Sequence, residues 1–166
     1  MKRLLAVLLT SVMIFPNCYI YAETTVITVG QGKDYSTINE AIAAAPAGTE
    51  QEPVIILIDA GSYNENVRVS KPWITLKAAS GKNDVTIRYN LKSAVIGNMA
   101  GSATVFIEGS ATGFRAENIT FQNYAYTPDD PDSTPDQYGP DGAVGVALAI
   151  AVYADKCVFV GCSFKS

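Results

Sequence analysis

The stretch that decides the fold is Gly113–Asn123, GFRAENITFQN, in which apolar and polar side chains alternate. A period of two residues is typical of a β-strand, because successive side chains of a strand point to opposite faces. The pattern returns further along the chain at Lys156–Ser166, KCVFVGCSFKS. The alternation therefore predicts that one strand unit occurs at least twice.

The spacing of these two copies indicates a stacked-repeat fold. About half of the offset is a loop rich in Pro, Asp and Tyr, which leaves an underlying repeat of roughly 20 residues. A strand unit of this kind buries its apolar face only against copies of itself above and below. We therefore predict an all-β fold, a right-handed parallel β-helix. The strand pattern alone leaves an antiparallel sandwich open, because its strands are also short and evenly spaced.

Further strands are predicted wherever short apolar or alternating runs lie between turn residues. Val54–Ile58 is apolar throughout and is expected to be buried on both faces. Asn118 and Asn123 are expected to belong to asparagine ladders along the coils. Besides Gly113–Asn123, the predicted strands are Thr25–Val29, Val54–Ile58, Tyr63–Val69, Trp73–Ala78, Val85–Tyr89, Ser93–Ile96, Ala103–Glu108, Val146–Val152 and Cys157–Phe164.

One segment near the N-terminus has the period of a helix instead. Its apolar residues recur at helical spacing at Ile38, Ala41, Ile42 and Ala45. Ser36 or Thr37 can cap its N-terminus, with Glu40 in reach for a capping box, and Pro46 ends it. We predict a single amphipathic α-helix that covers the open first coil, and no second helix.

The N-terminal segment resembles a secretory signal peptide. Lys2 and Arg3 precede the apolar run Leu4–Phe15, and a polar exit ends at Ala22. The apolar run is too short to span a membrane as a mature helix. The sequence thus predicts a signal peptide at residues 1–22, a β-helix domain at 23–166, and a protein secreted to the extracellular space or the periplasm.

Charge and composition exclude several classes of function. The formal net charge is −4, and removing the signal takes away two positive charges and no negative ones, which leaves −6. Nucleic acid and anionic membrane surfaces are therefore poor partners. The sequence contains no His, which excludes Ser-His-Asp and Cys-His triads and His metal sites within it. Cys157 and Cys162 are expected to be free and buried.

The segment Tyr124–Gly145 interrupts the strand series and is predicted to be a long surface loop. Tyr124, Tyr126 and Tyr138 either stack on sugar rings or attach the loop to the coil wall, and the sequence does not decide between these roles. The five Asp residues of the loop match no calcium-binding register, so we predict a solvated loop and no metal site.

Four motifs in order resemble the first half of the pectin methylesterase (pectinesterase) family. They are DYSTINEAIAAAP, Gly61-x-Tyr63-x-Glu65, GFRAENITFQN and ALAIAVYADKCVFVGCSF, and the resemblance covers about Thr25 to Ser166. It implies a right-handed β-helix that hydrolyses methyl esters of polygalacturonate without metal or cofactor. In the family, one Asp attacks the ester carbonyl, a second acts as acid and base, Gln side chains hold the oxyanion, and an Arg orients the nucleophile.

The resemblance places the catalytic Asp pair and the Arg beyond Ser166, so it implies no catalytic residue within this sequence. We therefore expect the chain to be the front part of a longer protein, truncated at the C-terminus, inactive alone and monomeric when full length. The alternatives are a non-catalytic β-helical carbohydrate-binding protein or a decayed esterase. A third alternative is a pectate lyase or a polygalacturonase built on the same scaffold.

Candidate substrate-binding residues also follow from the resemblance. Val146 stands where the family has its first oxyanion Gln, and Val cannot donate a hydrogen bond; Gln137 is a weaker substitute candidate. Thr104 lies close to where the family's cleft floor runs, and the alternatives for it are substrate contact and strand packing, of which packing is favoured. Tyr124 begins the loop. Structural roles are expected for Tyr63 and Glu65 at a coil corner and for Asp155 in a turn.

Overall fold

The computed structural model describes residues 24–82, 84–125 and 146–166, and its regular structure is dominated by short strands. The helices are α1 (Ile38–Ala44), α2 (Ser93–Ile96) and a 3-10 helix (Ala100–Ser102). The strands are β1 (Val26–Val29), β2 (Val54–Ile58), β3 (Gly61–Asn64), β4 (Val67–Val69), β5 (Ile74–Ala78), β6 (Val85–Tyr89), β7 (Val105–Ile107), β8 (Arg115–Glu117), β9 (Ile119–Asn123), β10 (Ile150–Val152), β11 (Val158–Val160) and β12 (Ser163–Lys165).

The strands form three parallel sheets that the chain visits in turn. Sheet A has the order β1-β2-β5-β8-β11, sheet B the order β12-β9-β6-β3, and sheet C the order β10-β7-β4. Every strand pairing in the described residues is parallel. The fold is therefore a right-handed parallel β-helix, as predicted, and the antiparallel sandwich is excluded.

The register confirms the short underlying repeat. In sheet A, Ile55 pairs with Thr75, Thr75 with Arg115, and Arg115 with Val158. The first coil (β2–β4) therefore runs from position 55 to 74, the second (β5–β7) from 75 to 114, and the third (β8–β10) from 115 to 157. The first coil has the length of the predicted repeat, roughly 20 residues, and the later coils are longer because they contain insertions.

The core lies between the three sheets and is filled by alternate residues of each strand. In β2, Val54, Ile56 and Ile58 are buried, whereas Ile55 and Leu57 are half-buried. The prediction that this strand is buried on both faces was therefore wrong. A β-helix has one inner face, so the outer side chains of a strand remain next to solvent even where they are apolar.

Several predicted strands are divided by a corner between sheets. The stretch Gly113–Asn123 forms β8 and β9, with Asn118 between them in the left-handed region at φ 61. Gly161 has φ 64 in the next coil, and a Cβ on it would overlap Asn118 Oδ1. Glycine adopts this conformation without strain and leaves room for the Asn118 side chain. Corners also divide Tyr63–Val69 and Cys157–Phe164, and only Ile150–Val152 of the run Val146–Val152 is strand.

The segment Ser93–Ile96 is helical rather than extended, so the predictions of a strand there and of a single helix were wrong. Gly97 ends this one-turn helix with φ 80, and its N–H donates to Ser93 O at 2.8 Å. A short apolar run does not distinguish strand from helix by periodicity alone. These residues leave the coil wall, so no neighbouring strand pairs with them.

Helix α1 covers the first coil, as predicted. Its buried residues are Ile38, Ala41 and Ile42, and it packs against β1, β2 and β4. The side chain of Thr37 accepts a hydrogen bond from Glu40 N at 3.2 Å and is the N-cap.

Two charged side chains of the first coil bind the ends of α1. The Glu65 carboxylate accepts hydrogen bonds from Ile38 N and Asn39 N, both at 2.9 Å. Lys71 Nζ donates to three carbonyls at the other end, at 3.0, 2.7 and 2.6 Å. Each charge has the sign that the helix dipole favours.

Cys157 and Cys162 are free, as expected, but they are half-buried rather than buried. Desolvation by this partial burial is the main reason that the pKa of the Cys157 thiol is raised. Across the described ranges, no helix is long and apolar enough to cross a membrane. The predicted signal peptide lies outside the described residues.

Candidate functional site

Most of the extra length of the second and third coils lies at one corner of the spiral, between sheet B and sheet C. Residues 90–104 follow β6 and contain α2 and the 3-10 helix, whereas residues 124–149 follow β9. In the first coil the same corner consists of Glu65 and Asn66 alone. We call residues 90–104 the first insertion and residues 124–149 the second insertion.

The two insertions contact each other through backbone and hydroxyl groups. Val146 N donates to Ser93 Oγ at 2.7 Å, and Ser93 N donates to Val146 O at 2.9 Å. Thr104 N donates to Leu148 O at 2.9 Å. The described end of the second insertion is therefore held against the first.

Asn123, the last residue of β9, connects both insertions to sheet B. Its side chain is 1% exposed, and its amide nitrogen lies 2.8 Å from Leu91 O, 2.9 Å from Ser102 O and 3.3 Å from Leu148 O. Its Oδ1 accepts from Ala125 N at 3.1 Å.

The asparagine ladders expected from the sequence are absent at both positions. Asn123 pairs in register with Tyr89, and Gly161 lies against Asn118. The contacts of Asn123 with both insertions were not predicted from the sequence. The available signal was an amide side chain at the last position of a strand that precedes a long loop.

Tyr124 begins the second insertion and lies against the coil wall. Its side chain is 4% exposed, its hydroxyl donates to Asn64 Oδ1 at 3.2 Å, and Arg88 Cζ lies 4.1 Å from its ring centroid. These contacts favour attachment of the loop over stacking on a sugar.

Thr104 lies at the same corner but is fully buried. Its hydroxyl donates to Gln122 O at 3.0 Å, and its exposed fraction is 0%. Val146 differs, because its side chain is 48% exposed. The structure thus brings Thr104, Tyr124 and Val146 to one corner, and of these three only Val146 presents its side chain to solvent.

Tyr63, Glu65 and Asp155 make the structural contacts expected of them. The Tyr63 hydroxyl donates to Asp59 O at 2.9 Å, and burial, followed by the nearby carboxylates of Asp59 and Glu65, raises the pKa of Tyr63. Thr112 donates its hydroxyl to the Asp155 carboxylate, and Asp155 O accepts from Gly113 N at 3.1 Å.

The described part of the corner can donate hydrogen bonds but supplies no carboxylate that could act as acid, base or nucleophile. The first insertion and residues 146–149 contain no Asp or Glu. Within 24–82, 84–125 and 146–166, no three His, Cys, Asp or Glu side chains group as metal ligands. Tyr126, Tyr138, Gln137 and the five loop Asp residues lie outside the described ranges.

Comparison with known proteins gives consistent matches over most of the chain. The Pectinesterase family model matches residues 23–166. Probable pectinesterase 50 from Arabidopsis thaliana is 35% identical over 147 residues, covering 86% of this chain and 36% of that protein. Pectinesterase A from Dickeya chrysanthemi is 34% identical over 134 residues, covering 77% and 36%.

Solved structures agree with these matches. Pectin methylesterase PemA from Erwinia chrysanthemi superposes with a TM-score of 0.69 at 27% identity, over 88% of this chain and 44% of that one. A pectin methylesterase in complex with a hexasaccharide gives 0.67 at 29% identity, over 85% and 43%. The chain spans 36% to 44% of the length of the proteins in these matches.

Proposed function

Because the chain belongs to the pectinesterase family, we propose that it forms the first coils of an enzyme that hydrolyses methyl esters of pectin. The observation that carries the proposal is the family match over residues 23–166. The structural similarity to a pectin methylesterase bound to a hexasaccharide supports a polysaccharide substrate.

In this proposal the described coils supply the scaffold and one wall of the ester site. Ester hydrolysis needs hydrogen-bond donors aimed at the developing oxyanion, and an aliphatic side chain provides none. The resemblance assigns Val146 to the family's first donor position, and its side chain is exposed. The neighbouring Ser93 hydroxyl accepts from Val146 N at 2.7 Å and keeps its own hydrogen to donate elsewhere.

The proposal is tested by reading the gene downstream of the codon for Ser166 and assaying the longest product for methanol release from methylated pectin. We expect a frame that continues into a Gln-Asp-Thr-Leu motif and a product that releases methanol. We also expect residues 1–166 alone to release none, since the family's Asp pair is absent from them. A stop codon after Ser166, together with no methanol release, would overturn the proposal.

The Val146→Gln variant of that product tests the donor position. Restoring an amide donor should raise kcat by up to about 100-fold, since one such donor contributes on that order. Val146→Leu is the matched control and should leave kcat unchanged. Equal rates for all three proteins would show that Val146 does not face the ester.

One observation favours a second candidate, a non-catalytic carbohydrate-binding protein or a decayed esterase. Val146 lacks the donor that the family's chemistry uses. This candidate predicts that the longest product binds polygalacturonate without releasing methanol.

We further propose that residues 1–22 are a signal peptide, that the protein is secreted, and that it acts as a monomer without nucleic-acid or membrane partners. N-terminal sequencing of protein collected outside the cytoplasm should begin at Glu23. Protein retained in the cell with Met1 intact would contradict the export proposal.

A further inference from the structure

The outer face of sheet C carries aromatic and cationic side chains in register. Arg68 of β4 pairs with Phe106 of β7, and Phe106 pairs with Ala151 of β10. The residues that flank Arg68 and Phe106 in their strands are Val67, Val69, Val105 and Ile107, all fully buried. Since strand side chains alternate, Arg68 and Phe106 point away from the core.

Tyr153 extends this row past the end of β10. It lies two residues beyond Ala151, and its backbone N–H donates to Ile107 O at 2.9 Å, so it continues the outer face. We call Arg68, Phe106 and Tyr153 the sheet C stripe.

The three side chains of the stripe form a chain of contacts. The rings of Phe106 and Tyr153 are stacked, with centroids 5.2 Å apart and planes 28° apart. Arg68 Cζ lies 4.7 Å from the Phe106 centroid. The stripe is thus a continuous surface made of a guanidinium group and two rings.

The stripe is open to solvent at both of its ends. Tyr153 is 64% exposed, and Arg68 is exposed as well, whereas Phe106 is half-buried between them. Stacked aromatic rings prearranged in this way lose little conformational freedom when a flat apolar face binds to them.

The chemistry of the stripe matches one class of ligand on the proposed substrate. Galacturonan sugars present an apolar ring face that can lie on Tyr153 and a carboxylate that a guanidinium can bind as a fork. Arg68 is the cation of the stripe, so it is the group that provides charge complementarity to a carboxylate.

We propose that the sheet C stripe is a sugar-binding subsite that takes a galacturonan chain, with Tyr153 and Phe106 under a sugar ring and Arg68 beside a carboxylate. This inference rests on the proposed function, because it assigns residues to its substrate.

The test measures the affinity of the full-length protein for hexagalacturonate and for its methyl-esterified form by calorimetry. Tyr153→Ala removes the exposed ring and should weaken binding of both ligands by about tenfold. Tyr153→Phe keeps the ring and should bind both as the wild type does. Arg68→Gln should weaken binding of the acid form alone, by about fivefold.

Arg115→Gln is the matched control for charge, since Arg115 is a partly exposed cation on sheet A that binds Glu117. It should leave both affinities unchanged. Wild-type affinity for Tyr153→Ala, or equal losses for Arg115→Gln and Arg68→Gln, would overturn the subsite. Thermal unfolding of each variant confirms that it is folded.

Methanol release separates this proposal from the proposed function. An active enzyme whose KM is unchanged by Tyr153→Ala refutes the subsite and leaves the esterase assignment intact. A protein that binds hexagalacturonate through Tyr153 but releases no methanol refutes the esterase assignment and leaves the subsite intact. A raised KM with unchanged kcat in Tyr153→Ala supports both.

Discussion

The first coil and the third coil each contribute one strand to each of the three sheets, but they do so with very different lengths of chain. The first passes from sheet B to sheet C through Glu65 and Asn66, whereas the third uses the whole second insertion. Both corners use an asparagine amide to bind the first insertion: Asn66 Nδ2 lies 2.7 Å from Ala103 O, and Asn123 Nδ2 lies 2.9 Å from Ser102 O. The comparison shows that the short repeat is long enough to form all three sheets. Additional residues are tolerated at the corner between sheet B and sheet C.

The largest expected effect on the free energy of unfolding is in sheet B, to which both coils contribute a strand. Phe121 is fully buried there and stacks on Phe164 at 5.5 Å between centroids. Phe121→Ala should lower the free energy of unfolding by about 3–5 kcal/mol, because it leaves a cavity in a packed core. Urea unfolding measures it. Phe164→Ala is the control, since Phe164 is 49% exposed, and an equal loss there would mean that burial does not set the cost.

The next effect distinguishes the two corners. Asn123→Ala should cost about 2–3 kcal/mol, because it leaves buried carbonyls without their donor. Asn66→Ala should cost about 1 kcal/mol, since Asn66 is only half-buried and solvent can replace its amide. Chemical denaturation of both variants checks this order of costs. Equal costs would contradict the view that the corner with the second insertion depends more on its asparagine than the short corner does.

A smaller effect is expected where the first coil holds its helix. Lys71→Met removes the ammonium group that binds three carbonyls at the end of α1 and should cost about 1–2 kcal/mol. Lys33→Met is the control, because its ion pair with Asp59 at 3.4 Å is exposed and should contribute less than about 0.5 kcal/mol. Thermal unfolding compares them, and a similar loss in both would indicate a general charge effect.

The smallest effect concerns pH and lies on the outer face of sheet A. Hydrogen bonds first from Lys77 and then from Arg115 hold the pKa of Glu117 below its usual value. A lowered folded-state pKa adds stability above the unfolded-state pKa, and this stability is lost as the pH falls through the folded-state value.

Glu117→Gln should therefore be less stable than the wild type near neutral pH, by less than about 1 kcal/mol because Lys77 is exposed. The difference should shrink as the pH falls from about 6 to about 3. Unfolding curves across this range measure it. A difference that stays constant with pH would mean that packing rather than charge is lost.

The strands of the three sheets could be predicted from the sequence more accurately than the corners between the sheets. Apolar and alternating runs located β1, β2, β5 and β6 to within one residue at each end, because inner positions must be apolar in every coil. β3 and β4 were predicted as one strand, and so were β8 and β9. Between β8 and β9 a single left-handed residue, Asn118, turns the chain without breaking the alternation. The candidate site at the corner was reached through the resemblance and not through the strand pattern.

The amino-acid sequence by itself determined the stacked short strands, their repeat and the covering helix, because periodic apolar residues can be buried only against copies of themselves. Only the tertiary structure decided which polar residues meet. Asn123 contacts carbonyls from both insertions, Glu65 and Lys71 bind opposite ends of α1, and Arg68 reaches Phe106 in the next coil. These partners are distant in sequence, and no local pattern encodes a contact that depends on how the coils stack.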